Sequence, residues 1–167
     1  MILIVILAIS FLVALSVHEF AHAWAADKLG DPNPKIAGRL SLNPLAHLDP
    51  VGTVILPLFL IMSGSPIVFG WAKPVEVDQF NLQNPRRDMG LLALAGPTAN
   101  LLLAIMTAFV LKLTGTTTNL ALSTFSLGLI YLISTNVALA IFNLIPIHPL
   151  DGGKIPVSYT HLRAHET

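Results

Sequence analysis

Four apolar runs punctuate the chain, separated by stretches that carry nearly all of its charge. They cover residues 1–26, 51–63, 89–113 and 120–147. Roughly 20 apolar residues are needed to cross the hydrocarbon of a bilayer, whereas runs of about 10 to 14 suggest re-entrant or interfacial segments. The lengths therefore predict spanning helices from the first, third and fourth runs. The second run, which also contains Pro57, is too short for a full span and is expected to enter and leave the membrane on one side. The fold class expected is a multi-pass α-helical membrane protein with three spanning helices and a short re-entrant segment.

The segments flanking the second run alternate differently. Ile36, Gly38, Leu40 and Leu42 interleave with Ala37, Arg39 and Ser41, and Val75 and Val77 interleave with Pro74 and Glu76. Period-two alternation reads as strand, so a small β element with an open edge is expected, an irregular interfacial loop being the alternative. Gly38, Gly70 and Pro74 weaken the strand pattern.

Charge placement sets the expected topology. Lys28, Lys35 and Arg39 lie between the first two runs, and Lys73, Arg86 and Arg87 between the second and third; residues 114–119 carry no charge. Basic loops stay on the cytoplasmic side. Both basic stretches, and with them the β element, are then cytoplasmic, which requires the second run to be re-entrant. The N-terminus is expected outside, and Asp151 near the cytoplasmic face.

Composition narrows the class further. Only 11% of the residues are charged, less than half the usual share of about 25%, and the mean hydropathy is +0.74. The formal net charge is zero, so no nucleic-acid partner is expected. Cysteine is absent, which excludes a disulfide framework and leaves His and carboxylate to hold any metal. The apolar N-terminus invites a secretory-signal reading, with Ala21-His22-Ala23 as a small-x-small cleavage site. It lacks a basic leader and carries Glu19 inside its apolar run, so that reading is set aside.

Those interruptions in the first run carry chemistry. His18-Glu19-Phe20-Ala21-His22 is an HExxH pattern. Histidines four apart lie about 40° apart around a helix and one turn along it, so both imidazoles can bind one ion. Glu19 sits beside them, where a carboxylate can take a proton from water activated by zinc. Each ionisable group near the bilayer centre costs about 2.5 to 3.5 kcal/mol on insertion scales, so three within five residues call for a compensating role. The bland alternative is a pair of histidines hydrogen-bonded to neighbouring helices.

A third ligand is expected where the fourth run ends, in Asn143-Leu144-Ile145-Pro146-Ile147-His148-Pro149-Leu150-Asp151-Gly152-Gly153. The prolines unwind the helix end and the glycines permit a tight turn, which can bring Asp151 inward. His148 competes for the role, its direction left open by Pro149. Asn143 is a candidate hydrogen-bond donor to an oxyanion, or equally an interhelical amide contact.

Taken together, HEFAH in the first helix, AGPTAN in a middle one and NLIPIHPLDGG at the end of a later one resemble the site-2 protease family of intramembrane zinc metalloproteases. GRLSLNPLAHLDP, FGWAKPV and NPRRDM are similar to its small bacterial members, which lack PDZ and CBS domains. The resemblance covers residues 1–155, expected to form the intramembrane metalloprotease domain. It implies that His18, His22 and Asp151 bind one zinc ion, that Glu19 is general base and acid, and that Asn143, with Asn100 of AGPTAN, positions substrate or stabilises the oxyanion. The close-packing alternative for Gly96 and Asn100 stands beside it. It further implies a membrane-spanning protein substrate and a place in the bacterial cytoplasmic membrane.

Residues 156–167 depart from the family. Its members continue past the DGG element into another membrane helix, whereas this tail is polar and resembles a translated cloning adapter. It is expected to be non-native and the domain truncated at its C-terminus. Two other classes remain open from sequence: a metal-binding membrane transporter with a midplane cation site, and a catalytically inactive interaction protein.

Overall fold

The computed structural model describes residues 2–65, 70–71, 73–114, 120–148 and 150–154. Three long helices, α1 (Ile2–Leu29), α4 (Pro85–Thr114) and α5 (Leu120–Leu144), pack against one another pairwise. Between α1 and α4 lie the short helices α2 (Asn33–Ile36) and α3 (Leu56–Met62). All three long helices are long and apolar enough to cross a membrane.

Their packing brings small residues together at the helix contacts. The buried contact positions are small: Ala14, Ala23 and Ala26 on α1, Ala93 and Ala104 on α4, Ala140 on α5. Small residues let backbones approach closely, which matters where lipid offers no hydrophobic drive for helix association. Large apolar side chains instead point outward, among them Ile4, Ile105, Met106, Phe109 and Ile141. An apolar cluster of Ala25, Ala26, Leu82 and Leu92 joins the end of α1 to the start of α4.

Helix ends follow local chemistry. The backbone N–H of Asp31 reaches back to the Ala26 carbonyl (2.9 Å), closing α1 ahead of Pro32. Asp31 itself is fully buried. Its carboxylate accepts from the backbone N–H of Asn33 (3.1 Å) and of Asp78 (2.8 Å), and from Asn81 Nδ2 (2.9 Å). One carboxylate thus ties the end of α1 to the segment that leads into α4. Pro85 opens α4, where its missing N–H costs nothing, and Asp88 reaches back to the N–H of Asn84 (2.8 Å). Pro97 lies inside α4 and is fully buried. Pro146 stops α5, because the residue before a proline is driven out of helical geometry.

The second apolar run is a π-helical turn, Pro50–Ile55, running directly into α3. Pro57 cannot donate to the Thr53 carbonyl, and such a gap in the ladder favours the wider turn. Six and seven residues of helix reach about 20 Å, well short of the hydrocarbon thickness. The chain then returns to its starting point, where the N–H of Trp71 donates to the Gly52 carbonyl (3.2 Å).

The expected β element is not found: no strand occurs among the described residues. Residues 36–42 fail because local turns capture their donors, Gly38 N–H on the Lys35 carbonyl and Arg39 N–H on that of Pro34, with Gly38 at φ +71°. Residues 73–78 are irregular and are held instead by Lys73 N–H on the His47 carbonyl (3.0 Å). The tail 156–167 lies outside the described residues.

Candidate metal centre

His18 and His22 project from α1 on successive turns, their ring centroids 4.7 Å apart and their planes at 79°. Asp151 reaches them from a single turn, Asp151–Gly153, that folds back on the end of α5. Gly152 makes this fold possible: a Cβ there would lie 2.4 Å from the Leu144 carbonyl oxygen and 2.5 Å from that of Ile145. All three side chains are buried.

Three atoms meet at one corner. His18 Nε2 and His22 Nε2 are 3.1 Å apart, and Asp151 Oδ2 lies 3.0 and 2.9 Å from them. The other nitrogen of each ring is committed. His22 Nδ1 lies 2.8 Å from the backbone carbonyl of Leu92, which can only accept, so the proton sits on Nδ1. His18 Nδ1 lies 3.0 Å from Asn100 Oδ1. The amide of Asn100 has its nitrogen on the carbonyl of Ala14 (3.3 Å) and on Asn136 Oδ1 (3.0 Å), so it offers oxygen to His18.

In neutral rings both Nε2 atoms therefore present lone pairs toward each other and toward a carboxylate oxygen. Three acceptors at this spacing repel unless a positive charge lies among them, either a proton taken up by an imidazole or a metal ion. Two imidazoles and a carboxylate, each within reach of one ion at about 2.0 to 2.2 Å, form the donor set of a catalytic zinc site, with a position left open. The supporting bonds on the remote nitrogens are those that orient metal-ligating histidines. The residues present fit zinc.

The second oxygen of Asp151 is occupied by Lys154 Nζ (2.8 Å). Burial by itself would raise the Asp151 carboxyl. The hydrogen-bond contacts with His18 and His22 and the Lys154 ammonium outweigh it and hold the group well below the usual carboxylate range.

Glu19 is nearly buried but opens, with His18, His22 and Asp151, on a cavity of about 550 Å³. Among the described residues its carboxylate has no hydrogen-bond partner. The cavity walls are mostly apolar, with Phe11, Leu15, Val75, Val77, Leu139 and Phe142 contributing. Asn143 also lines it, its Nδ2 donating to the Leu139 carbonyl (3.0 Å) and leaving one N–H for the cavity. His148 is exposed and lies outside the cluster.

Asn100 is fully buried, and its polar atoms meet His18, Ala14 and Asn136, the interhelical hydrogen bonding that stood as the alternative reading. Gly96 is the close approach: a Cβ there would stand 2.5 Å from His18 Cε1 and from His22 Nε2. Sequence reading missed Lys154 and Asn136. An asparagine in the middle of an apolar run was the available signal for Asn136; a lysine three residues after a ligand is too common to mark Lys154.

The chain is 40% identical over 153 residues to "Putative zinc metalloprotease YwhC" of Bacillus subtilis, covering 89% of this chain and 66% of that protein. It is 33% identical over 142 residues to "Putative zinc metalloprotease Rip2" of Mycolicibacterium smegmatis and of Mycobacterium tuberculosis, covering 85% of this chain and 52% of each. The chain thus spans about two thirds of the first relative and about half of the others. No family model matches it. No solved structure gives a significant match.

Proposed function

Because this chain belongs to the site-2 protease family of zinc metalloproteases, we propose that it is a zinc-dependent endopeptidase that hydrolyses peptide bonds of membrane-spanning substrates within the bilayer. One observation carries this reading. The corner of His18, His22 and Asp151 opens on the same cavity as a buried carboxylate, Glu19, that has no hydrogen-bond partner among the described residues. A carboxylate beside the ligands and open to the cavity is where hydrolysis needs its general base.

His18, His22 and Asp151 would hold one zinc ion. When bound, zinc supplies Lewis acidity at this corner, acidifying water and polarising a carbonyl oxygen. Glu19 accepts the proton of the attacking water as its oxygen bonds to the scissile carbonyl carbon, and returns it to the amide nitrogen as the C–N bond breaks. Asn143, which lines the cavity and has a second amide N–H beyond the one spent on Leu139, is assigned to the developing oxyanion.

A transmembrane helix must unwind before its carbonyls can react. The backbone N–H groups of Val75, Glu76 and Val77 have no partner among the described residues, and Val75 and Val77 line the cavity. They can pair with an extended substrate and satisfy the groups that unwinding frees. The return of the chain from α3 to Gly52 supports a re-entrant second run in a multi-pass protein of the cell membrane.

The test is Glu19→Gln in the full chain reconstituted with a generic transmembrane substrate. Bound zinc should be unchanged while cleavage falls by about 10² to 10⁴-fold, the usual worth of a general base. Undiminished cleavage at full zinc occupancy would sink the mechanism.

A further inference from the structure

Two amides lie buried in the middle of the bundle, far from any role in peptide chemistry. Asn100 of α4 and Asn136 of α5 both have 0% exposure. A polar group in such a place is costly unless all its hydrogen-bonding capacity is used, and here the pairing also fixes a direction. Asn136 Nδ2 donates to the Leu132 carbonyl (2.8 Å), which can only accept, so Asn136 must turn its oxygen toward α4. That oxygen accepts from Asn100 Nδ2 (3.0 Å), and Asn100 must then turn its own oxygen toward His18 Nδ1 (3.0 Å). A chain of three bonds across three helices ends by forcing the proton of His18 onto Nδ1.

We propose that Asn136, acting through Asn100, is a positioning residue of the metal centre that holds His18 in the only neutral tautomer able to ligate through Nε2. The inference rests on the zinc reading of the site. Without the acceptor of Asn136, only the longer contact with the Ala14 carbonyl (3.3 Å) keeps Asn100 in place. If its amide turned over, Asn100 would present N–H groups to His18, the imidazole proton would move to Nε2, and the lone pair facing Asp151 would be lost.

The measurement is zinc affinity of the detergent-solubilised full chain, by competition with a chromophoric chelator. Outer-shell partners of metal-binding histidines are typically worth about 10- to 100-fold in affinity. Asn100→Leu should therefore lose that much, and Asn136→Leu close to tenfold. Asn136→Asp, which keeps an acceptor for Asn100 whether ionised or not, should stay within about threefold of wild type, and it separates polarity from mere folding damage. Because Asn136 acts through Asn100, the double Leu variant should bind zinc as Asn100→Leu does. Wild-type affinity in Asn136→Leu, equal losses in Asn136→Leu and Asn136→Asp, or multiplying losses in the double variant would each overturn the proposal. A wild-type chain that takes up no zinc would instead overturn the zinc reading beneath it.

Discussion

Gly96 and His22 meet so closely that a single methyl group added to the glycine would stand 2.5 Å from the imidazole Nε2. Neither imidazole can retreat easily, since each is held at its far nitrogen by α4 itself, through Leu92 and Asn100. Gly96→Ala must therefore push α4 away or break those bonds. Overpacking of this kind costs about 1 to 3 kcal/mol. Zinc affinity should fall at least about tenfold, the equivalent of 1.4 kcal/mol. Chelator competition checks it, and unchanged affinity would show that the rings can shift without harm.

Metal removal should loosen the fold as well as the site. A ligand that binds only the folded state adds about 2.7 kcal/mol at a concentration one hundred times its Kd. Thermal unfolding in detergent should move upward as zinc is added and fall back with a chelator. Asp151→Ala should abolish that response. A zinc-dependent shift that survives in Asp151→Ala would mean the ion binds elsewhere.

Asp31 offers a way to disturb the cavity wall without touching the metal. Two of its three accepted bonds, from Asp78 N–H and Asn81 Nδ2, hold residues 78–81 against the end of α1, and hydrogen bonds to a charged group are worth about 1.5 to 3 kcal/mol each. Asp31→Ala should release the segment that carries Val75 and Val77. Amide exchange there should accelerate and KM for a transmembrane substrate should rise, with zinc affinity unchanged. Slow exchange across residues 75–81 in the variant would show that the wall is held by other means.

The absence of native cysteine makes topology directly testable. Single cysteines at Asn43 and Gln83, both exposed positions flanking the second apolar run, should react with an impermeant reagent from the same side of the membrane. Met62→Cys, near the tip of that run, should be protected in the bilayer although its side chain is exposed on the protein. Labelling of Asn43→Cys and Gln83→Cys from opposite sides would mean that the run spans.

What the sequence made legible was whatever periodicity and residue type determine locally. The apolar runs marked α1, α4 and α5 to within a few residues, because helix length in a membrane is set by thickness and composition. His18, Glu19 and His22 could be read as one constellation, since helical spacing alone puts them together. Asp151 was legible as a candidate only through the breakers around it. The strand pattern at residues 36–42 misled, because alternation records the side chains and not the backbone partners, and the carbonyls of Pro34 and Lys35 gave the donors nearer acceptors. Asn136 was out of reach as a partner: its role depends on which way Asn100 turns, and that is decided by carbonyls on two other helices.

The metal corner also sets a schedule for biogenesis. α1 alone supplies two imidazoles, and α4 adds the groups that fix their protons, yet the carboxylate lies 129 residues beyond His22 in the chain. At the usual elongation rate of about 5 to 20 residues per second, it emerges roughly 6 to 26 seconds later. A nascent protein inserted only as far as α4 has its base but no closed corner. The corner can therefore close only after α1, α4 and α5 have all been made, because the turn that carries Asp151 follows α5 in the chain.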